Sequence, residues 1–352
     1  MQKFAVFSGF LGSGKTTTMM ALTQYCSGGP QKAAMISNDL GGKGLADDRY
    51  ARLRGCSASE LTGDCICYQT ENLVARLDSL FDEEGCSLVI SDIPGFGVGA
   101  LEHVYHTLNE HYHGRYALAP FTVLTEPATA KLLERGESDL AYILHTQLLE
   151  ADLIVLNKCD LLDASERAET LETLGRRYPQ ARVLAISART GEGIAALAEA
   201  LVRGEASLQR PDIGYGGAEF AAAMGKICEY NLQYHATVCC DTFDGDAYLL
   251  ALAEAVRSVI RELGGEIPHL KLLAWEPEGR YGRVDLLGRE KESEVNQSIG
   301  CPCTELAVIL NSSAVCSARA LDEVLTAAVE RVSEEFNLTL AVYRKECFDL
   351  VN

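Results

Sequence analysis

The chain has 352 residues, 47% of them hydrophobic and 23% charged, which is enough apolar material for a core and for more than one domain. Its 31 basic and 50 acidic residues leave a net charge of -19, so no field draws it toward DNA, RNA or an anionic membrane, and those partners are excluded from the expectation. Thirteen cysteines, an odd number in a long chain, point to buried thiols or metal ligands rather than a disulfide framework.

Residues 1–7 carry one Lys and a short apolar run with no small-residue cleavage site, and no apolar run approaches the roughly 20 residues of a membrane span; a cytoplasmic location is expected. From residue 1 to about 204, short β-rich runs alternate with helical stretches. Strands are predicted at 4–8, 33–37, 88–91, 121–125, 153–157 and 182–187. That rhythm predicts a doubly wound, mostly parallel α/β sheet with ligands at the carboxyl ends of its strands.

The first strand runs into Gly9-Phe-Leu-Gly-Ser-Gly-Lys-Thr16, which fits GxxxxGK[ST] at every fixed position and precedes a helical segment. In such a loop Gly9, Gly12, Ser13 and Gly14 turn successive N–H groups toward one anion, and the helix adds its positive end. Lys15 can then reach the β- and γ-phosphates and Thr16 can ligate magnesium, with Thr17 beside them in the phosphate-binding set. After the second strand come Ser37-Asn-Asp-Leu-Gly41 and Glu60-Leu-Thr-Gly-Asp-Cys-Ile-Cys-Tyr68. Cys65 and Cys67 offer two soft ligands, suited to zinc or another late transition metal and too few for a closed tetrahedral site; a pair of partly buried thiols is the other reading.

The strand at 88–91 ends in Asp92, and Gly95 follows in a DxxG arrangement. Asp92 can hold magnesium through water, and the unobstructed Gly95 amide can meet a γ-phosphate. Phe96, next in line, has no group to orient an attacking water, so turnover is expected to be slow and to depend on metal, a partner or dimerisation. His103, His106, His111 and His113 cluster just beyond; a helix would put the first two on one face, to load metal or simply to stand in solvent. Asn157-Lys158-Cys-Asp160 follows the strand at 153–156 and matches NKxD, whose carboxylate accepts from two N–H groups of guanine and rejects adenine. Ser187-Ala188-Arg189 ends the last strand and is placed to close over the guanine carbonyl. The expected ligands are therefore GTP and Mg2+, with Lys15, Thr16 and Asp92 carrying hydrolysis.

Pro and Gly in 209–217 mark a linker, expected over 209–224 between a GTPase domain at 1–208 and a smaller domain at 225–352. In the latter, strand, helix and strand are predicted at 226–239, 245–263 and 269–275, and again at 305–311, 318–336 and 339–344. Two such units suggest a ferredoxin-like α+β layer. Cys301 and Cys303 form a second candidate thiol pair or a plain turn, and Cys239 and Cys240 read as structural.

The glycine loop, the segment 37–41 and the segment 60–68 together resemble the CobW/HypB/UreG family of metal-handling GTPases over most of residues 1–204. In CobW-like members the third segment is similar to a Gly-Cys-Ile-Cys-Cys motif that binds a transition metal, and Cys65 and Cys67 occupy its first two cysteine positions. Asp64 and Tyr68 depart from it, and Tyr68 stands where the third cysteine would be. Asp39 is the first candidate for a further ligand and Cys56 the second. The resemblance implies GTP-driven delivery of zinc, cobalt or nickel to a client metalloprotein. Its alternatives are a chaperone for a corrinoid-dependent methyltransferase or mutase, and a GTP-dependent interaction switch that hardly hydrolyses.

Overall fold

The computed structural model describes residues 2–27, 32–39, 46–135, 139–209, 211–214, 217–239, 241–263, 269–286 and 293–350. The chain divides into two compact units, Met1–Phe220 and Ala221–Asn352.

In the first unit β1 Lys3–Gly9, β2 Ala33–Asp39, β3 Ala58–Thr62, β4 Leu88–Asp92, β5 Ala117–Leu118, β6 Thr122–Thr125, β7 Leu153–Leu156 and β8 Arg182–Ala185 form one parallel sheet. Its order is β3-β2-β4-β1-β6-β7-β8, with β5 pairing the start of β1. The apolar runs explain the order. Strands β1, β4, β6 and β7 are buried at every position, as strands covered on both faces must be, whereas the edge strands β3 and β8 are mostly half-buried. The chain lays β2, β3 and β4 on one side of β1 and β6, β7 and β8 on the other. Sequence order therefore reverses beside β1, which is where a doubly wound sheet opens a ligand crevice.

Helices α1 Lys15–Ser27, α2 Ala46–Leu53, α3 Thr70–Asp78, α4 Thr107–His111, α5 Pro127–Arg135, α6 Asp139–Leu149, α7 Ala164–Arg177 and α8 Ile194–Arg203 connect the strands. Two elements were not legible from the sequence. β3 is polar and sits at the edge, so it lacks an apolar run, and β5 is only two residues long. Helix α9 Ala218–Met224 fills the end of the stretch read as a linker, its alanines favouring helix.

The second unit is built on β9 Ile227–Val238, α10 Gly245–Glu262, β11 His269–Trp275, β15 Glu305–Val315, α11 Ala318–Glu335 and β16 Leu338–Asp349, with β10 Phe243–Asp244, β12 Tyr281–Leu286, β13 Glu294–Gln297 and β14 Pro302–Cys303 between them. The main sheet runs β13-β12-β11-β15-β9-β16 and every pair is antiparallel. Within it β16-β9-β15-β11 is the order of a ferredoxin-like split βαβ repeat, as the two strand-helix-strand units suggested. β12 and β13 extend it at one edge. Asp244 and Ser317 cap α10 and α11, and both helices press apolar stripes, Leu249, Leu252 and Val256 with Leu321, Leu325 and Val329, onto Tyr230, Leu232 and Leu310 of the sheet. Among the described residues no helix is long and apolar enough to cross a membrane.

Candidate functional site

The strand expected at 4–8, the glycine loop from Gly9 and the helical segment after it are present as β1, residues 10–14 and α1. Gly14 has φ +88°, and a Cβ there would lie 2.2 Å from Nδ2 of Asn157, so only glycine fits. Lys15 folds back over the loop, its Nζ donating to Gly9 O at 2.6 Å and Phe10 O at 3.4 Å. Ser13, Lys15, Thr16 and Asp92 are buried. β1 and β4 are neighbours in register, Phe7 opposite Asp92, which brings the glycine loop and the DxxG segment to one end of the sheet. Thr16 and Asp92 offer hard oxygen donors, a set that suits magnesium. Gly95 comes so close to the loop that a Cβ would lie 2.3 Å from the Leu11 side chain, and Phe10 meets Phe96 edge to face at 5.3 Å.

At the other flank of β1, Asn157 does something its motif did not announce. Its Nδ2 donates to Ser13 O at 2.9 Å and its Oδ1 accepts from Ala188 N at 3.0 Å, so one carboxamide ties the glycine loop to the Ser187-Ala188 loop. Lys158 sits in the left-handed region (φ 59°) with Nζ 3.0 Å from Glu126 Oε2. Asp160 pairs with Arg189. Burial pushes the Asp160 carboxyl up, but the Ser187 hydroxyl and the Arg189 guanidinium outweigh that and hold it below the usual carboxylate range.

The segment after β3 folds into a tight loop. Asp64 Oδ1 accepts from Cys65 N at 2.7 Å, Cys65 Sγ accepts from Cys67 N at 3.4 Å, and the two sulfurs share a hydrogen at 2.8 Å. That sharing, with the amide, pulls the Cys65 thiol down against burial and the charges of Asp64 and Asp92; the same bond and burial push Cys67 up, and the Glu150 carboxylate adds to it. Two zinc–sulfur bonds of about 2.3 Å in a tetrahedron require sulfurs about 3.8 Å apart, so the pair fits a shared metal after opening by roughly 1 Å. Among the described residues no group of three or more His, Cys, Asp or Glu is arranged to hold a metal. The site as described therefore supplies two donors and needs others.

The candidates for those others fall out unequally. Asp39 ends β2 with its backbone in register with Thr62, three residues before Cys65, while Leu40 and Gly41 lie outside the described residues. Cys56 is buried ahead of the first residue of β3, at the opposite end of that strand from Cys65, and is not brought to the pair. Tyr68 is 61% exposed and its ring lies 5.9 Å from that of His103. The four histidines do not share a face: residues 101–106 form a π turn, whose wider winding turns His106 inward while His103 stays half-buried and His111 lies toward solvent. The stretch is no freely solvated helix either, for Tyr105 is fully buried and its hydroxyl accepts from Val6 N at 3.0 Å. Cys303 is buried and donates to Cys301 O at 3.4 Å, a turn contact. Cys239 is exposed just past β9 and so is not part of the packing; Cys240 lies outside the described residues.

Three residues assigned no individual role from the sequence organise the site. Asn38 donates its backbone N–H to Asp92 Oδ1 at 2.9 Å, its Nδ2 to Leu61 O at 3.1 Å and Asp64 O at 2.9 Å, and accepts from Ile66 N at 2.9 Å. Gln147 Nε2 donates to Gly95 O at 3.1 Å and Gly97 O at 2.9 Å, and Glu150 accepts from Gly99 N at 2.9 Å and Leu101 N at 3.2 Å. The carboxyl end of α6 thus clamps the whole loop that follows Asp92. A buried carboxylate one residue past a helix was the available signal, but nothing in its spacing names its partners.

Residues 3–185 match the model of the CobW/HypB/UreG nucleotide-binding domain. The chain is 28% identical over 219 residues to a zinc chaperone CobW of Sinorhizobium sp, covering 54% of this chain and 60% of that protein. It is 34% identical over 184 residues to a GTPase Obg of Rubrobacter xylanophilus, covering 50% and 41%. The chain thus spans about three fifths or less of the length of these relatives. A Zn(II)-bound YjiA GTPase structure from E. coli is 16% identical, with 94% of this chain and 98% of that one covered at a TM-score of 0.39.

Proposed function

The chain belongs to the CobW/HypB/UreG family, and from that premise we propose that it binds and slowly hydrolyses GTP with magnesium, and couples this cycle to handing a transition metal, zinc in the first place, to a client protein. Lys15 and magnesium, held between Thr16 and Asp92, neutralise the phosphates, and the Gly95 amide senses the γ-phosphate. Asp160 and the Ser187-Ala188 loop choose guanine. Cys65 and Cys67 hold the metal, with further donors from outside the pair.

One observation supports this reading above the others: the glycine loop, DxxG, NKxD and Ser187-Ala188 follow the carboxyl ends of β1, β4, β7 and β8 of one parallel sheet, and Asn157 and Asn38 bond the glycine loop to the Ser187-Ala188 loop on one side and Asp92 to the thiol loop on the other. The thiolate chemistry favours zinc, as does the zinc-chaperone description of the CobW relatives. Competition binding on the full chain checks the nucleotide half. GTP and GDP should displace a labelled guanine nucleotide while ATP does not. In Asp160→Asn GTP affinity should fall roughly 10- to 150-fold, the about 1.5–3 kcal/mol of a charged hydrogen bond, and xanthosine triphosphate should gain. Equal competition by ATP, or unchanged GTP preference in Asp160→Asn, removes this assignment.

A further inference from the structure

We propose that Asn38 is the positioning residue through which the magnesium end of the nucleotide site sets the geometry of the Cys65/Cys67 pair. The inference rests on the reading above only for where the nucleotide binds.

Asn38 is 5% exposed, and its hydrogen bonds fall into two sets. The backbone N–H belongs to Asp92, the carboxylate read as the magnesium-side ligand, at 2.9 Å. The side chain belongs to the thiol loop: Nδ2 to Leu61 O and Asp64 O, Oδ1 from Ile66 N. Asp64 and Ile66 are the two neighbours of Cys65, so the carboxamide grips the backbone on both sides of the first thiol. Both Nδ2 donors and the Oδ1 acceptor are in use, and burial keeps water from replacing them. β2 pairs with both β3 and β4, so a residue on β2 joins the two sites with one hydrogen-bonded step on each side.

Those two sets make Asn38 a lever with one arm on each site. A magnesium ion held by Asp92 would share the carboxylate that accepts from Asn38 N, and would thereby alter that bond. Any such shift of the Asn38 backbone carries the carboxamide with it and moves Cys65 relative to Cys67, the separation a shared metal requires to change. A residue that merely glued the loop would stabilise it equally in every nucleotide state.

Site-resolved alkylation separates the two roles and needs no metal. The full chain is treated with iodoacetamide, with and without a non-hydrolysable GTP analogue and magnesium, and the rates at Cys65 and Cys67 are read by peptide mass spectrometry. In the native chain the analogue should change the rate at one or both thiols at least about 5-fold, the lower end of ordinary coupling between sites. In Asn38→Ser, which is neutral and too short to span the loop, the analogue should bind within about 3-fold of native while the rates become the same with and without it. Asn38→Asp, whose second oxygen faces two carbonyls, should do the same if it folds. A nucleotide dependence in Asn38→Ser equal to native, or native rates that ignore the nucleotide, overturns the proposal. A failure to bind zinc leaves these rates untouched and strikes only at the cargo assigned above.

Discussion

Gly14 and Asn157 show how little room the site leaves at the scale of single residues. The loop carbonyl at Ser13 and the amide at Ala188 are 175 residues apart in the chain, and a single carboxamide holds both. Gly14→Ala puts a methyl where Nδ2 of Asn157 lies and asks alanine to adopt φ +88°, so Asn157 must leave its place and the base loop with it. We expect this variant to melt several degrees lower and to lose guanine-nucleotide binding by at least about tenfold; calorimetry and a fluorescent GDP titration check both, and near-native binding would show that Asn157 is not the tie. Lys15, Thr16, Asp92, Gly95, Asn157, Asp160 and Ser187 are named from the sequence because phosphate and guanine chemistry fixes the spacing of such residues within short motifs. Asn38, Gln147 and Glu150 could not be, because the side chain of each bonds backbone groups of a segment 23 to 52 residues away, and only the fold makes those neighbours.

Helix α6 is the element whose part the sequence concealed most. Its end holds residues 95–101 by four hydrogen bonds, and Glu150, just beyond it, is buried. Burial pushes the Glu150 carboxyl up to about 7, although the amides of Gly99 and Leu101 pull the other way. A carboxyl whose value is raised on folding binds its proton more tightly in the folded chain. Its contribution is fully present below the unfolded value of about 4.3 and is lost as pH rises through about 7. Stability should therefore fall by up to roughly 3 kcal/mol from this group between about pH 4.5 and pH 7.5, and Glu150→Gln should flatten that slope. Urea midpoints across this range measure it; a slope unchanged in the variant places the titration elsewhere. The π turn at 101–106 escaped for a related reason, since its histidine spacing reads as an ordinary helix until the burial of Tyr105 and His106 shows otherwise. β3 and β13 escaped because edge strands need no continuous apolar run.

At the scale of the molecule, the alternation of strand and helix sufficed to foresee a parallel sheet and then a split βαβ layer, because burial on both faces leaves a continuous apolar run and burial on one leaves a period. The chain orders β3-β2-β4-β1 and β6-β7-β8 about β1, and with them the thiol loop and the base loop fall on opposite flanks of one phosphate loop. That arrangement supports the proposed coupling of a nucleotide cycle to a metal cargo, and the cargo is its least constrained half, because among the described residues Cys65 and Cys67 are joined by no third donor. Zinc titration of the full chain against a competing chelator, with GDP and with magnesium and a non-hydrolysable GTP analogue, tests it most directly. The account predicts one zinc per chain bound tighter than about micromolar in at least one nucleotide state, an affinity that differs at least about 5-fold between the states, and loss of the site in Cys65→Ser with Cys67→Ser. Zinc bound no tighter than micromolar in either state, or bound equally well without both thiols, would contradict it.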